Sequence, residues 1–404
     1  MKNLKIYALY LCAAALLTGC SNEEPNAKPP TKEIEHESDP NFIPIDEALA
    51  NADKMFSNIG IKPTRANHRI KSIERFKSPT RSMDNDMHGL YLVNYENDGG
   101  FALLSADRRL YPVYALSEEG SLHLSDTLDN KGLSWYLNDY ITSGGFTPVN
   151  PPTIDSLIHT IQPIYDETTV HSTPLLNEFL RKFHQFYPYN QYLPIPNQKD
   201  KYYAVGCMPI AVGTIVGYYE WPNNIDGFTM PWESMRTNPY HSQWSRLFAL
   251  VGGSKYIGVT YGETSTPGVF EFYTRTFTNL KYNGTKLGSL NYTTLFSELK
   301  NGHPVIFDGR VPNNQHDGHA FIVDGAYTHK YETPLVTEDG KTVYATEHFV
   351  HCLWGWQRGS SNGYYLMDGS VGGKCTTFDE PGPYNPSAPA YNSIRMCYGY
   401  RPNK

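Results

Sequence analysis

The chain has 404 residues, a formal net charge of -7 and 14% aromatic residues, 31 of them tyrosine. Its charges are dispersed, and the absence of a basic cluster argues against a nucleic-acid partner. The many Gly and Pro residues exclude a helical bundle in favour of a loop-rich protein with a β core, and the length admits two domains behind a leader.

Lys2 and Lys5 make a basic start, residues 6–17 are almost wholly apolar, and Leu17-Thr18-Gly19-Cys20 reads as a lipoprotein signal box. Residues 1–19 are then a signal peptide, too short for a membrane span, and Cys20 becomes the lipidated first residue. An ordinary secretory signal with a chance cysteine is the plainer alternative. Several acyl chains on one cysteine anchor a protein stably. This reading places the protein at a bacterial cell envelope, as an outer-membrane lipoprotein or on the cell surface, with release after maturation open. It meets the membrane through its N-terminal lipid only. Residues 20–41 are Pro, Glu, Lys and Asn-rich, which makes a flexible tether.

Asp46 opens a short helix, with Ala48, Leu49, Ala52, Met55 and Phe56 apolar at helical spacing. Residues 60–88 are basic and irregular. Residues 90–94 and 101–105 flank Asn97-Asp98-Gly99-Gly100, a hairpin signal. Residues 133–141 read as a helix. The Gly and Pro-rich run 142–151 is the best domain boundary, so residues 42–150 form one domain, 151–161 a linker, and 162–404 a second domain.

In the second domain, Gly206-Cys207-Met208-Pro209 opens a helix, with Ile210, Thr214, Ile215 and Tyr218 at helical spacing. Gly213 and Gly217 would let it lie close to a neighbour. A thiol at a helix N-terminus feels the positive end of the dipole, which favours the thiolate. The plainer reading is a buried structural cysteine. About a hundred residues on, Gly318 opens a short strand, 320–323, closed by Asp324-Gly325, with His319 at its mouth. A thiol nucleophile needs a base that titrates near neutral pH, and histidine is suited to this. Cys12 and Cys20 belong to the leader. Cys352, Cys375 and Cys397 are an odd number, so at most one disulfide forms among them. No Cys/His spacing suits a metal, and no cofactor is expected. Further strands are read at 304–307, 349–354, 364–367 and 394–400, and a helix at 294–299.

The segments around Cys207 and His319 resemble the active-site segments of the streptopain family of papain-like cysteine peptidases. So does Trp354-Gly355-Trp356, with the Gly-aromatic-aromatic strand that follows. Residues 90–116 resemble the hairpin of that family's inhibitory propeptide. The resemblance covers residue 45 to the C-terminus. It implies an α+β fold: a papain-like two-lobed peptidase, its helical lobe carrying the cysteine and its sheet lobe the histidine, preceded by a small α+β propeptide domain. It implies a cysteine endopeptidase made as a zymogen, with Cys207 as nucleophile and His319 as base. Its partners are protein or peptide substrates and its own propeptide, which occupies the cleft or displaces the histidine. Trp354 and Trp356, beside Gly318, would wall the cleft, or pack as simple core, and Trp354 is, with Asp308, a candidate orienting or oxyanion residue. Residues 160–163 resemble the maturation region, with Gln162 as mature N-terminus.

Three positions depart from the family pattern. The glutamines that help bind the oxyanion are matched by Lys201 and Asp308, and the Asn before the first Trp is matched by Leu353. Oxyanion donor and histidine orienter are therefore open. Asp308 could donate as a neutral acid, could orient His319 in place of Leu353, or could be a solvent-facing turn residue. A catalytically impaired peptide-binding homologue and a cysteine amidase of cell-wall peptides are the alternatives; the propeptide-like hairpin argues against the amidase.

Overall fold

In the computed structural model the described residues are 42–60, 69–76, 89–107, 111–122, 166–263, 266–311, 314–336, 340, 342–356, 361–371, 374–377 and 394–404. The leader with Cys20, the tether, the helix expected at 133–141, the boundary at 142–151 and Gln162 lie outside them.

Helix α1 (Ile45–Asn58) forms where the apolar spacing places it and buries Ala48, Ala52, Met55 and Phe56. Three antiparallel strands follow its face: β2 (Leu90–Tyr95), β3 (Phe101–Ser105) and β4 (Val113–Ser117), with β1 (Ile70–Phe76) on the outer edge of β2. The expected hairpin is β2–β3, and its turn carries Asn97 and Asp98 at positive φ, a conformation these residues tolerate.

The remaining strands of the same sheet are β5 (Asp166–Ser172), β6 (Lys286–Ser289), β7 (Val305–Val311), β8 (Asn314–Val336), β9 (Thr342–Leu353), β10 (Gly363–Val371), β11 (Lys374–Thr377) and β12 (Arg395–Tyr398). Their order is β1-β2-β3-β4-β10-β9-β8-β7-β12-β6, with β11 on β10 and β5 on β8. Strand β4 pairs with β10 through Gly363↔Ser117, Tyr364↔Leu116 and Tyr365↔Ala115. The two parts expected as separate domains thus share one continuous sheet.

Strand β8 is longer than its sequence suggests. Asp324-Gly325 was expected to close it, and His319 to stand at its mouth; instead the chain bulges between Val323 and Gly325 and runs on to Val336. The Asp324 carboxylate is turned inward. It accepts from the Leu176 N–H at 2.9 Å and meets His351 Nδ1 at 2.6 Å, so it joins strands rather than ending one.

The helical lobe is built around α2 (Cys207–Tyr219), in which residues 208–217 are all buried. Such a helix must be covered on every side. The sheet covers one side through Ile306, Ala320 and Ile322; helix α3 (Ser242–Gly252) covers another through Trp244 and Phe248. Strand alternation divides the sheet's side chains. Ala320 and Ile322 belong to the core shared with α2, and Phe321 and Val323 to the core shared with α1 and strands β2–β4.

Candidate active site

Cys207 is the first residue of α2. Gly206 before it has φ +95, and a Cβ there would sit 2.9 Å from the side chain of Thr266. Thr266 donates to the Ala204 carbonyl at 2.7 Å and so pins the loop that delivers the thiol. No side chain caps the helix, which leaves the first-turn N–H groups beside the sulfur. The half-buried thiol lies close to the backbone of Ala320 and Met208 and to its own, all three of which favour its charged form. Ala320 is the residue directly after His319. Two segments 112 positions apart, 207 and 319, therefore meet at one point of the sheet.

The helix start alone suggested a thiol shifted toward thiolate. The structure gives the opposite direction: burial pushes the Cys207 thiol up, and the nearby Asp308 charge adds to the rise, while the backbone at Ala320, Met208 and Cys207 only partly opposes it. At this thiol desolvation outweighs the dipole.

His319 is 4% exposed and lies in β8 opposite Gly309. Its Nε2 is 2.6 Å from the Trp354 carbonyl oxygen. A carbonyl can only accept, so Nε2 carries the proton and Nδ1 of a neutral ring is left as acceptor. The imidazole meets the Trp356 indole edge to face at 5.5 Å, and Phe186 packs on that indole from beyond at 6.2 Å. Trp354 is also a core residue: its indole N–H donates to the Ser361 carbonyl, and its ring packs on Phe321 and Tyr365. Leu353 is buried in the core shared with α2. Gly318 is exposed and pairs with Arg310.

Asp308 is not a solvent-facing turn residue. It lies within β7, 5% exposed, with Oδ1 3.0 Å from Arg395 Nη2 on the neighbouring strand β12. The Arg395 guanidinium also reaches Glu271 at 3.0 Å and stacks over the Phe270 ring at 3.8 Å. One oxygen of the Asp308 carboxylate is thus engaged by an arginine in a charge-assisted contact. Lys201 is exposed.

Sequence reasoning missed Gln185. It is 2% exposed, and its carbonyl accepts from the Val205 N–H at 2.8 Å, two residues before Cys207. Its side-chain Nε2 is buried without a hydrogen-bond partner. Buried amides are nearly always bonded, so this orphan donor beside the thiol loop asks for a ligand. The signal available in the sequence was a lone amide inside an aromatic run, Phe183 to Tyr189. Among the described residues, no group of three or more His, Cys, Asp or Glu is placed to hold a metal.

A helix presenting a thiol against a sheet that presents a histidine, behind a hairpin-bearing N-terminal domain, defines a papain-like cysteine peptidase with its own inhibitor. Known proteins agree. Residues 260–365 match the Peptidase C10 family, and residues 40–143 match the Spi protease inhibitor. Streptopain of Streptococcus pyogenes is 22% identical over 360 residues, 74% of this chain and 79% of that protein. The thiol protease/hemagglutinin PrtT of Porphyromonas gingivalis is 24% identical over 326 residues, 68% of this chain and 33% of its own. The structure of a prointerpain A fragment of Prevotella intermedia is similar in fold, with a TM-score of 0.50 at 21% identity, over 82% of this chain and 99% of that one. The chain is a cysteine peptidase made as a zymogen, with a segment similar to the Peptidase C10 family and an Spi inhibitor-like propeptide.

Proposed function

We propose that the peptidase works through Cys207 and His319 as an endopeptidase on protein substrates. The observation that carries this is the closeness of the thiol to the backbone of Ala320, next to a histidine whose Nε2–H is already committed to a carbonyl. Nδ1 then takes the thiol proton as Cys207 attacks the scissile carbonyl, and returns it to the leaving amine. The Trp354 carbonyl orients the imidazole, a task that Leu353 cannot perform, and it fixes the tautomer as the acid of a triad does. The oxyanion is held by the Cys207 N–H at the uncapped helix start together with the Gln185 amide, the orphan donor for which Lys201 and Asp308 are no substitutes. Asp308 belongs to an ion pair with Arg395 and is neither neutral donor nor orienter.

Residues 42–150 are proposed as the propeptide and 162–404 as the peptidase, with cleavage in the 151–161 linker. The pairing of β5 with β8 supports a cut upstream of Asp166, because a later one would strip a strand from the sheet. Residues 1–19 and Cys20 are proposed as a lipoprotein signal and its lipidated cysteine, which would make this an envelope-anchored enzyme. Among the described residues, no helix is long and apolar enough to cross a membrane.

The test is hydrolysis of a casein substrate by processed protein. Cys207→Ala and His319→Ala are expected to abolish it without unfolding the chain, and Gln185→Ala to lower kcat by about 100- to 1000-fold, the usual effect of one lost oxyanion donor. Full activity in either of the first two variants overturns the dyad.

A further inference from the structure

Asn362 is a buried polar residue, 3% exposed, in the turn before β10. Both ends of its side-chain amide are used. Oδ1 accepts from the Trp354 N–H at 3.0 Å, and Nδ2 donates to the Arg181 carbonyl at 3.1 Å. Its neighbour Ser361, held at φ +53, accepts from the Trp354 indole N–H at 3.2 Å and from the Tyr365 hydroxyl at 2.6 Å. Trp354 is thus gripped at its backbone N–H by one residue and at its indole by the next. Its remaining polar group, the carbonyl, faces His319 Nε2 at 2.6 Å. Beyond it Gly355 turns the chain at φ +63.

We infer that Asn362 is the positioning residue for the catalytic histidine, acting through Trp354. The inference rests on the reading of His319 as the base. A backbone carbonyl can replace a side-chain amide as orienter only if the peptide that bears it cannot swing. Here the strand that ends at Leu353 offers no such restraint beyond its last residue, and the restraint comes from across the hairpin. Asn362 also ties that hairpin to the segment Leu180–Lys182 of the helical lobe, since Arg181 supplies its acceptor. Histidine, tryptophan carbonyl, asparagine and the helical lobe form one hydrogen-bonded chain.

The side-chain partners of Asn362 both lie downstream of the proposed cleavage region, so the arrangement survives maturation. The propeptide instead meets the Asn362 backbone carbonyl, to which the Glu118 N–H donates at 3.3 Å and toward which Ser117 Oγ stands at 2.8 Å, its one proton shared with the Glu119 carbonyl at 2.7 Å. Loss of the propeptide releases that carbonyl and leaves the amide in place.

The experiment uses processed enzyme and a fluorogenic peptide, with rates counted per active site titrated by an irreversible thiol inhibitor, so misfolded molecules drop out. Asn362→Leu keeps the volume and removes both hydrogen bonds. We expect kcat to fall about 100-fold, the cost of a misplacement near 1 Å, with KM unchanged. Asn362→Asp keeps an oxygen for the Trp354 N–H but sets a second acceptor against the Arg181 carbonyl, and its kcat is expected to fall between wild type and the leucine variant. Asn362→Ala is expected to behave as the leucine variant does. Wild-type kcat per titrated site in Asn362→Leu or Asn362→Ala overturns the inference. So does an Asn362→Asp enzyme as slow as those two, or failure of both to fold while Asn362→Asp folds, since each assigns the residue to stability alone. If His319→Ala remains active, the dyad reading itself fails, and that result is independent of Asn362.

Discussion

The immediate surroundings of Cys207 disfavour its thiolate. Burial is the first cause of its raised pKa, and the Asp308 charge adds to it. A thiol with a raised pKa is mostly protonated at neutral pH and reacts slowly, because the thiolate is the nucleophile. Alkylation of Cys207 by iodoacetamide in the intact precursor should therefore rise only as pH passes the ordinary thiol range. Cys352 and Cys397 are free, buried and pushed well above that range, so they should stay silent in the native chain. Asp308→Asn removes a negative charge and leaves the Arg395 guanidinium facing the site, and both changes favour the thiolate. We expect that variant of the precursor to be alkylated faster than wild type at neutral pH. Peptide mapping by mass spectrometry reads the rate at each cysteine; an unchanged or slower rate at Cys207 would show that Asp308 does not set its reactivity.

Helix α2 owes its position to two glycines. A Cβ on Gly213 would fall 2.4 Å from the Phe248 ring, and one on Gly217 2.7 Å from Trp244, so α2 and α3 lie closer than alanines allow. Gly213→Ala should cost about 1–3 kcal/mol, the usual range for overpacking a core. It should also slow hydrolysis, because the helix that must shift begins at Cys207. Thermal denaturation followed by near-UV circular dichroism checks the first expectation and kcat the second; an unaltered melting temperature would mean that the ring moves aside at no cost. This close approach was legible in the sequence, as were α1, the β2–β3 hairpin and the start of α2. All are local: period, turn residues and small residues lie within one segment. The unread parts depend on distant partners. Asp324 looks like a turn residue until the Leu176 N–H and His351 are placed beside it. Asp308 gains its meaning from Arg395, 87 positions away. That the backbone carbonyl of Trp354, rather than a side chain at position 353, meets His319 Nε2 cannot be written in side-chain chemistry at all.

The shared sheet makes latency a property of the whole molecule. Its join is short: three residue pairs between β4 and β10. Beyond the last pair, Ser117 Oγ reaches across to the Asn362 carbonyl, and Glu118 Oε2 stands 3.7 Å from Arg181 Nη1. The latter is a part-exposed ion pair of small worth in water. The Ser117 hydroxyl is buried and shares its one proton between the Asn362 carbonyl and the Glu119 carbonyl of its own segment, so the contact contributes at most about 1 kcal/mol to holding the propeptide. A difference of that size is about fivefold in an equilibrium between docked and undocked propeptide. Ser117→Ala in the full-length precursor should therefore be processed up to several-fold faster by a trace of mature enzyme, as followed by gel electrophoresis. Its mature product is identical in sequence to wild type if cleavage falls in 151–161, so kcat and KM must coincide. Equal processing rates in the two precursors would mean that β4 is held by its backbone pairing and apolar face alone, with the contact to the Asn362 turn adding nothing to latency.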